Sequence, residues 1–135
     1  MPGSPPPEAS SNSPSPVAAA GLIDLLLFFC GRRLLMRVEG RSMHPCLKPD
    51  DRVLVKRWSL QQQASPGQIV VAWHPHRPRL RLIKRLSQRD AAGFWLEGDN
   101  PAESTDSRQL GWFPSDRMIG VVVGRIATSG SEQNA

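Results

Sequence analysis

Cysteine is scarce in this chain. Two occur in 135 residues, Cys30 and Cys46, with no C-x-x-C pair, so neither a disulfide framework nor a cysteine-built zinc site is indicated, and a reducing compartment is compatible. Histidine is thin as well. Of the three, His74 and His76 flank Pro75 without the third ligand or the spacing of a zinc motif, which leaves surface histidines, no metal and no other cofactor as the reading. A membrane-length apolar run is also missing: Val17 to Cys30 holds fourteen residues and includes Asp24, whereas a bilayer span takes about 20. Positive charge follows that run at Arg32 and Arg33 instead of preceding it, which is the reverse of a secretory leader.

What is present divides into four stretches. Residues 1–16, MPGSPPPEASSNSPSP, are Pro, Ser and small polar types that cannot bury apolar surface and read as a disordered tail; residues 128–135, TSGSEQNA, read the same way. Residues 17–33 read as one apolar helix that packs on the domain or lies at a membrane surface, with Arg32 and Arg33 suited to a helix C-terminus or to lipid phosphates. A short tilted anchor extended through Leu34, Leu35 and Met36 stays open. Residues 34–127 form a single domain, since the length has no room for two.

In that domain short apolar stretches alternate with Gly, Pro and Asp, the rhythm of a mainly β fold. Strands are expected at Leu34 to Glu39, Arg52 to Arg57, Gln68 to Trp73, Arg79 to Ser87, Gly93 to Glu97 and Arg117 to Ile126, with turns at Lys48-Pro49-Asp50-Asp51 and Pro66-Gly67. One strand carries an anomaly. Alternation aligns Leu80, Leu82, Lys84 and Leu86 on one face, against Arg79, Arg81, Ile83 and Arg85 on the other. Lys84 either snorkels past the leucines to water or is desolvated, in which case its pKa falls and part of it is a neutral amine able to accept a proton.

Such an amine needs a nucleophile. Gly40-Arg41-Ser42-Met43-His44-Pro45-Cys46-Leu47 leaves an expected strand for a Pro-containing turn from which a serine can project, with Gly40 leaving room for a substrate backbone. Taken alone this is only a turn with a serine in it. Cys46 with a histidine partner is the weaker nucleophile, an inert thiol being the commoner case. Trp58, Trp73, Trp95 and Trp112 fall in different elements and read as core or rim residues, not a base-stacking platform.

The segments Ser42-Met43-His44-Pro45 with Asp51-Arg52-Val53-Leu54-Val55, Pro66-Gly67-Gln68-Ile69-Val70-Val71, Arg81-Leu82-Ile83-Lys84-Arg85 and Gly98-Asp99-Asn100-Pro101-Ala102-Glu103-Ser104-Thr105-Asp106-Ser107-Arg108 occur in this order. Together they resemble the type I signal peptidase family of Ser/Lys peptidases over roughly Val38 to Val123. The resemblance implies a small signal-peptidase-like β-barrel or sheet domain preceded by the apolar helix. It also implies that Ser42 attacks, Lys84 takes its proton, Ser104 orients the lysine and Asp106 with Arg108 braces the loop. Met43 and Pro45 would shape the nucleophile turn, and the Ser42 amide would donate to the oxyanion. Three positions depart from the family. Gly40 stands where some members place a side-chain oxyanion donor, Cys46 where threonine is usual and Asp50 where glycine is usual.

Compactness and a shortened region after the lysine box resemble the small nickel-type superoxide dismutase maturation proteases. That implies a cytoplasmic endopeptidase, in part held at the membrane through residues 17–36, that binds the dismutase precursor as an extended strand and removes its N-terminal leader. The alternative is a minimal leader peptidase acting on exported preproteins at the membrane. A third reading, a basic binding module, rests on Arg77, Arg79, Arg81, Arg85 and the net charge of +5; nucleic acid is not expected as a partner, because binding alone has no use for Ser42, Lys84 and Ser104 together.

Overall fold

Ile69-Val70-Val71-Ala72 has no polar residue and three β-branched ones, a composition stable as a strand only when both faces are covered. In the computed structural model, which describes residues 3–4, 16–59 and 64–126, this run lies in strand β3 (Ile69–Trp73) and is buried from Ile69 to Ala72. The other strands are β1 (Arg33–Arg37), β2 (Arg52–Arg57), β4 (Arg81–Asp90), β5 (Gly93–Glu97) and β6 (Met118–Ile126), with helices α1 (Leu22–Phe29) and α2 (Ser107–Leu110). All six strands join one sheet in the order β1-β2-β6-β3-β4-β5, every neighbouring pair antiparallel.

The mainly β expectation holds, and each expected strand is found within two or three residues of its place. The sheet is open. Its terminal strands β1 and β5 do not pair with one another, so of the barrel-or-sheet expectation the sheet is correct. Alternation along β3 sends Val70 and Ala72 into one apolar cluster with Leu86, Leu96 and Phe113, and Ile69 and Val71 into a second with Met36, Met43, Leu47 and Val53. The sheet thus carries a core on each face.

The helix expected over 17–33 is shorter and later. Only Leu22–Phe29 is helical, and the preceding alanines run extended along β6, the Ala20 amide donating to the Arg125 carbonyl and the Arg125 amide to that of Ala18. A good helix-forming triplet has been overridden by pairing with a sheet that local propensity cannot foresee. Arg33 is likewise no helix terminus; it begins β1 and meets Asp24 at 3.4 Å. Leu22, Ile23 and Leu26 face outward, 73%, 73% and 55% exposed. No helix among the described residues is long and apolar enough to cross a membrane. The tails expected over 1–16 and 128–135 fall, apart from residues 3, 4 and 16, outside the described residues.

Candidate active site

The turn after Val38 is held from beneath. Met43 and Leu47 are fully buried, the Leu47 amide donates to the Met43 carbonyl, and that of His44 to Arg41. With its neighbours sunk in the core, Ser42 stays half-buried at the surface of a cleft of about 380 Å³. Pro45 lies on the outer side of the turn, after a cis peptide bond. Gly40 has a left-handed φ of 74° with nothing within 4 Å of where a Cβ would stand. Backbone conformation, not crowding, therefore favours glycine there. Asp50, where the resembled family has glycine, also has a left-handed φ, 73°.

Lys84 comes to the same cleft from β4, opposite Val70 of β3, and is only 3% exposed. Its position in line with Leu82 and Leu86 thus ends in burial, not in snorkelling. Burial pushes its pKa down to about 8; the nearby Asp106 carboxylate opposes that and the Arg108 guanidinium adds to it. The Lys84 ammonium makes no ion pair among the described residues. Nor does any hydrogen bond join it to the Ser42 hydroxyl; in free enzymes such contacts are commonly loose and tighten around substrate. The Ser42 amide also has no acceptor among the described residues.

Ser104, Asp106 and Arg108 stand behind this pair. The Ser104 hydroxyl donates to Asp106 Oδ2 at 2.6 Å, so its proton is committed to the carboxylate and its lone pairs remain as acceptors. Asp106 is fully buried and takes four further hydrogen bonds: from the Gly98 amide, the Arg108 amide, and Arg108 Nε and Nη2. Burial alone would raise its pKa, but the Arg108, Gly98 and Ser104 hydrogen bonds outweigh it and hold the carboxyl below its usual value. It also caps α2 by accepting from the Arg108 amide, and its own amide donates to Gln109 Oε1.

Gly98 ties this loop to the nucleophile turn. A Cβ there would collide with the Ser104 side chain and come within 2.8 Å of the Ser42 carbonyl oxygen. One step on, the Asn100 amide donates to that carbonyl at 2.8 Å and its side chain to the Arg41 carbonyl. Ser42 and Ser104 thereby converge on the one face of Gly98 that a side chain would occupy.

Three side chains have roles that sequence reasoning missed. Arg85, grouped with Arg77, Arg79 and Arg81 in the basic-module reading, is instead largely buried, in a two-point pair with Asp99 whose nearer contact is 2.8 Å, and it also reaches the Gly67 carbonyl and the Cys46 sulfur. A buried acid across the neighbouring strand is invisible to alternation along β4 alone. Ser107 accepts from the Leu96 amide inside the core. His74, taken as a surface histidine, is buried; its Nδ1 accepts from the His76 and Arg77 amides and so folds the β3–β4 turn. Of the tryptophans, Trp95 is core, Trp58 and Trp112 are half-buried and Trp73 is exposed.

A serine turn and a buried lysine lining one cleft of an antiparallel sheet define a peptidase-like class. The Peptidase S24-like family matches residues 29–123, and the chain belongs to it. More particularly, it is similar to mitochondrial inner membrane protease subunit 2 of Danio rerio, 32% identical over 67% of this chain and 60% of that protein. The same subunit of Schizosaccharomyces pombe is 27% identical over 73% of this chain and 72% of its own length. In Mus musculus the figures are 30% over 56% of each. The chain thus spans less than two thirds of several of the relatives it matches.

Proposed function

We propose that the protein is a serine endopeptidase in which Lys84 activates Ser42, and that it removes N-terminal leaders from precursor proteins presented at a membrane. The burial of Lys84 in the cleft that Ser42 also lines carries this reading. A lysine with a pKa of about 8 is neutral in about a tenth of molecules at pH 7, whereas an ordinary lysine is neutral in fewer than one in a thousand.

The substrate lies extended beside the Ser42 turn. Ser42 Oγ attacks the carbonyl carbon as Lys84 Nζ takes the hydroxyl proton. The tetrahedral oxyanion is met by the Ser42 amide, and Lys84 passes its proton to the departing amine as the peptide bond breaks. Water, deprotonated by the same amine, then hydrolyses the acyl-enzyme. Ser104, fixed by Asp106, offers a lone pair that orients the lysine.

The membrane setting is supported by what the relatives are called and by the outward Leu22, Ile23 and Leu26. The nickel superoxide dismutase precursor is the other substrate, favoured by the compact domain. Co-expression separates them: the wild type shortens one precursor by intact mass, and Ser42→Ala and Lys84→Arg shorten neither. Wild-type turnover by the Lys84→Arg protein would refute the dyad, since a guanidinium cannot serve as base.

A further inference from the structure

Two carboxylates line the cleft, and both are occupied. Glu103 pairs with Arg41 at 3.2 Å and Glu39 lies 3.9 Å from Arg37, which also meets Asp50 at 3.5 Å. Arg79 and Arg81 line the same cleft, are exposed, and have no acidic or hydrogen-bonding partner among the described residues. Arg79 moreover holds a left-handed backbone, φ 73°, which a residue with a Cβ adopts at a cost of about 1 kcal/mol. The depression beyond it is lined by His76, Arg77 and Arg117 with no acid among them, so nothing on that side neutralises the pair. Arg81 precedes Lys84 by three strand residues, about 10 Å at the rise of a β-strand, and alternation turns its side chain to the other face. An extended peptide along the cleft that both line would present to it a residue about three positions from the one at Lys84.

We propose that Arg79 and Arg81 form a carboxylate-recognition subsite in the cleft, so that the enzyme selects peptides carrying Asp or Glu two to four residues from the cleaved bond. This rests on the cleft being the peptide site proposed above. Both guanidiniums are solvated, so the preference is modest, on the order of fivefold for Asp over Ala. It is set against Lys more strongly, by like-charge repulsion.

The test separates recognition from cleavage. Immobilised Ser42→Ala protein is equilibrated with a degenerate decapeptide library with alanine fixed at its centre, and the retained peptides are sequenced by mass spectrometry. Acidic residues should be enriched, the enrichment should vanish on adding Arg79→Gly and Arg81→Gln, and it should persist on adding Arg52→Ala and Arg57→Ala, which remove equal charge outside the cleft. Glycine at 79 keeps the left-handed turn unstrained. Absence of retention, retention without acidic enrichment, or equal loss in both charge-reduced proteins would overturn the subsite. Cleavage of the same library that survives Ser42→Ala would sink the dyad and leave the binding result standing by itself.

Discussion

Lys84 is the residue on which the proposed activity and stability conflict. Its pKa falls from about 10.5 unfolded to about 8 folded, so the folded state binds the proton less tightly and folding is penalised wherever the lysine is charged when unfolded. The penalty is full below pH 8, fades between pH 8 and 10.5, and is on the order of 3 kcal/mol. Lys84→Met, similar in volume and uncharged, should raise the melting temperature at pH 7 and abolish turnover, with the stabilisation shrinking as pH rises above 8. A Met variant that melts lower at pH 7 would show that the ammonium is well compensated. In the wild type, kcat/KM should climb with pH through a midpoint near 8 if, as proposed, the neutral amine is the base. Alternation along one strand made this lysine visible, since it stood in line with leucines. The Asp106 cluster was visible only through family resemblance, and the Arg85–Asp99 pair not at all, because it joins β4 to the loop after β5 and no pattern within β4 reveals that neighbour.

Among the elements, the strands were legible because apolar alternation and Gly/Pro punctuation are local. The first part of the apolar run was not, because Ala18–Ala20 pair with Arg125, more than a hundred residues away. The loop between β5 and α2 matters most to the site. Gly98 leaves to the Ser42 carbonyl and the Ser104 side chain the space that a Cβ would fill, so Gly98→Ala should push the two serines apart. A drop in kcat of at least tenfold is expected with the sheet's circular dichroism retained, on the order of what small misplacement of catalytic groups costs. Unchanged kcat would mean that the loop's seating does not set the geometry of the cleft. Asp106→Asn should instead act on folding, since an amide cannot accept all five hydrogen bonds that this fully buried carboxylate takes, and a loss of about 2 kcal/mol in urea unfolding is expected.

For the whole molecule, the open sheet and the outward apolar face of α1 decide how it meets its surroundings. Leu22, Ile23 and Leu26 stand exposed on a short helix followed by Arg32, an arrangement suited to lying in an anionic lipid surface. Replacing all three by serine should lower co-sedimentation with vesicles containing anionic lipid by on the order of tenfold and leave peptide cleavage in solution unchanged. Equal sedimentation by both proteins would remove α1 from membrane contact.

Because the sheet ends at β1 instead of closing, one row of that strand's amides and carbonyls has no neighbour in the sheet, and it runs into the wall of the cleft. An unsaturated rim open to an extended peptide is equally open to another copy of the chain. Solubility at high concentration and openness to substrate therefore pull in opposite directions, and the charged side chains of Arg37 and Glu39 at the strand's end are what keep that rim from becoming a seam between molecules.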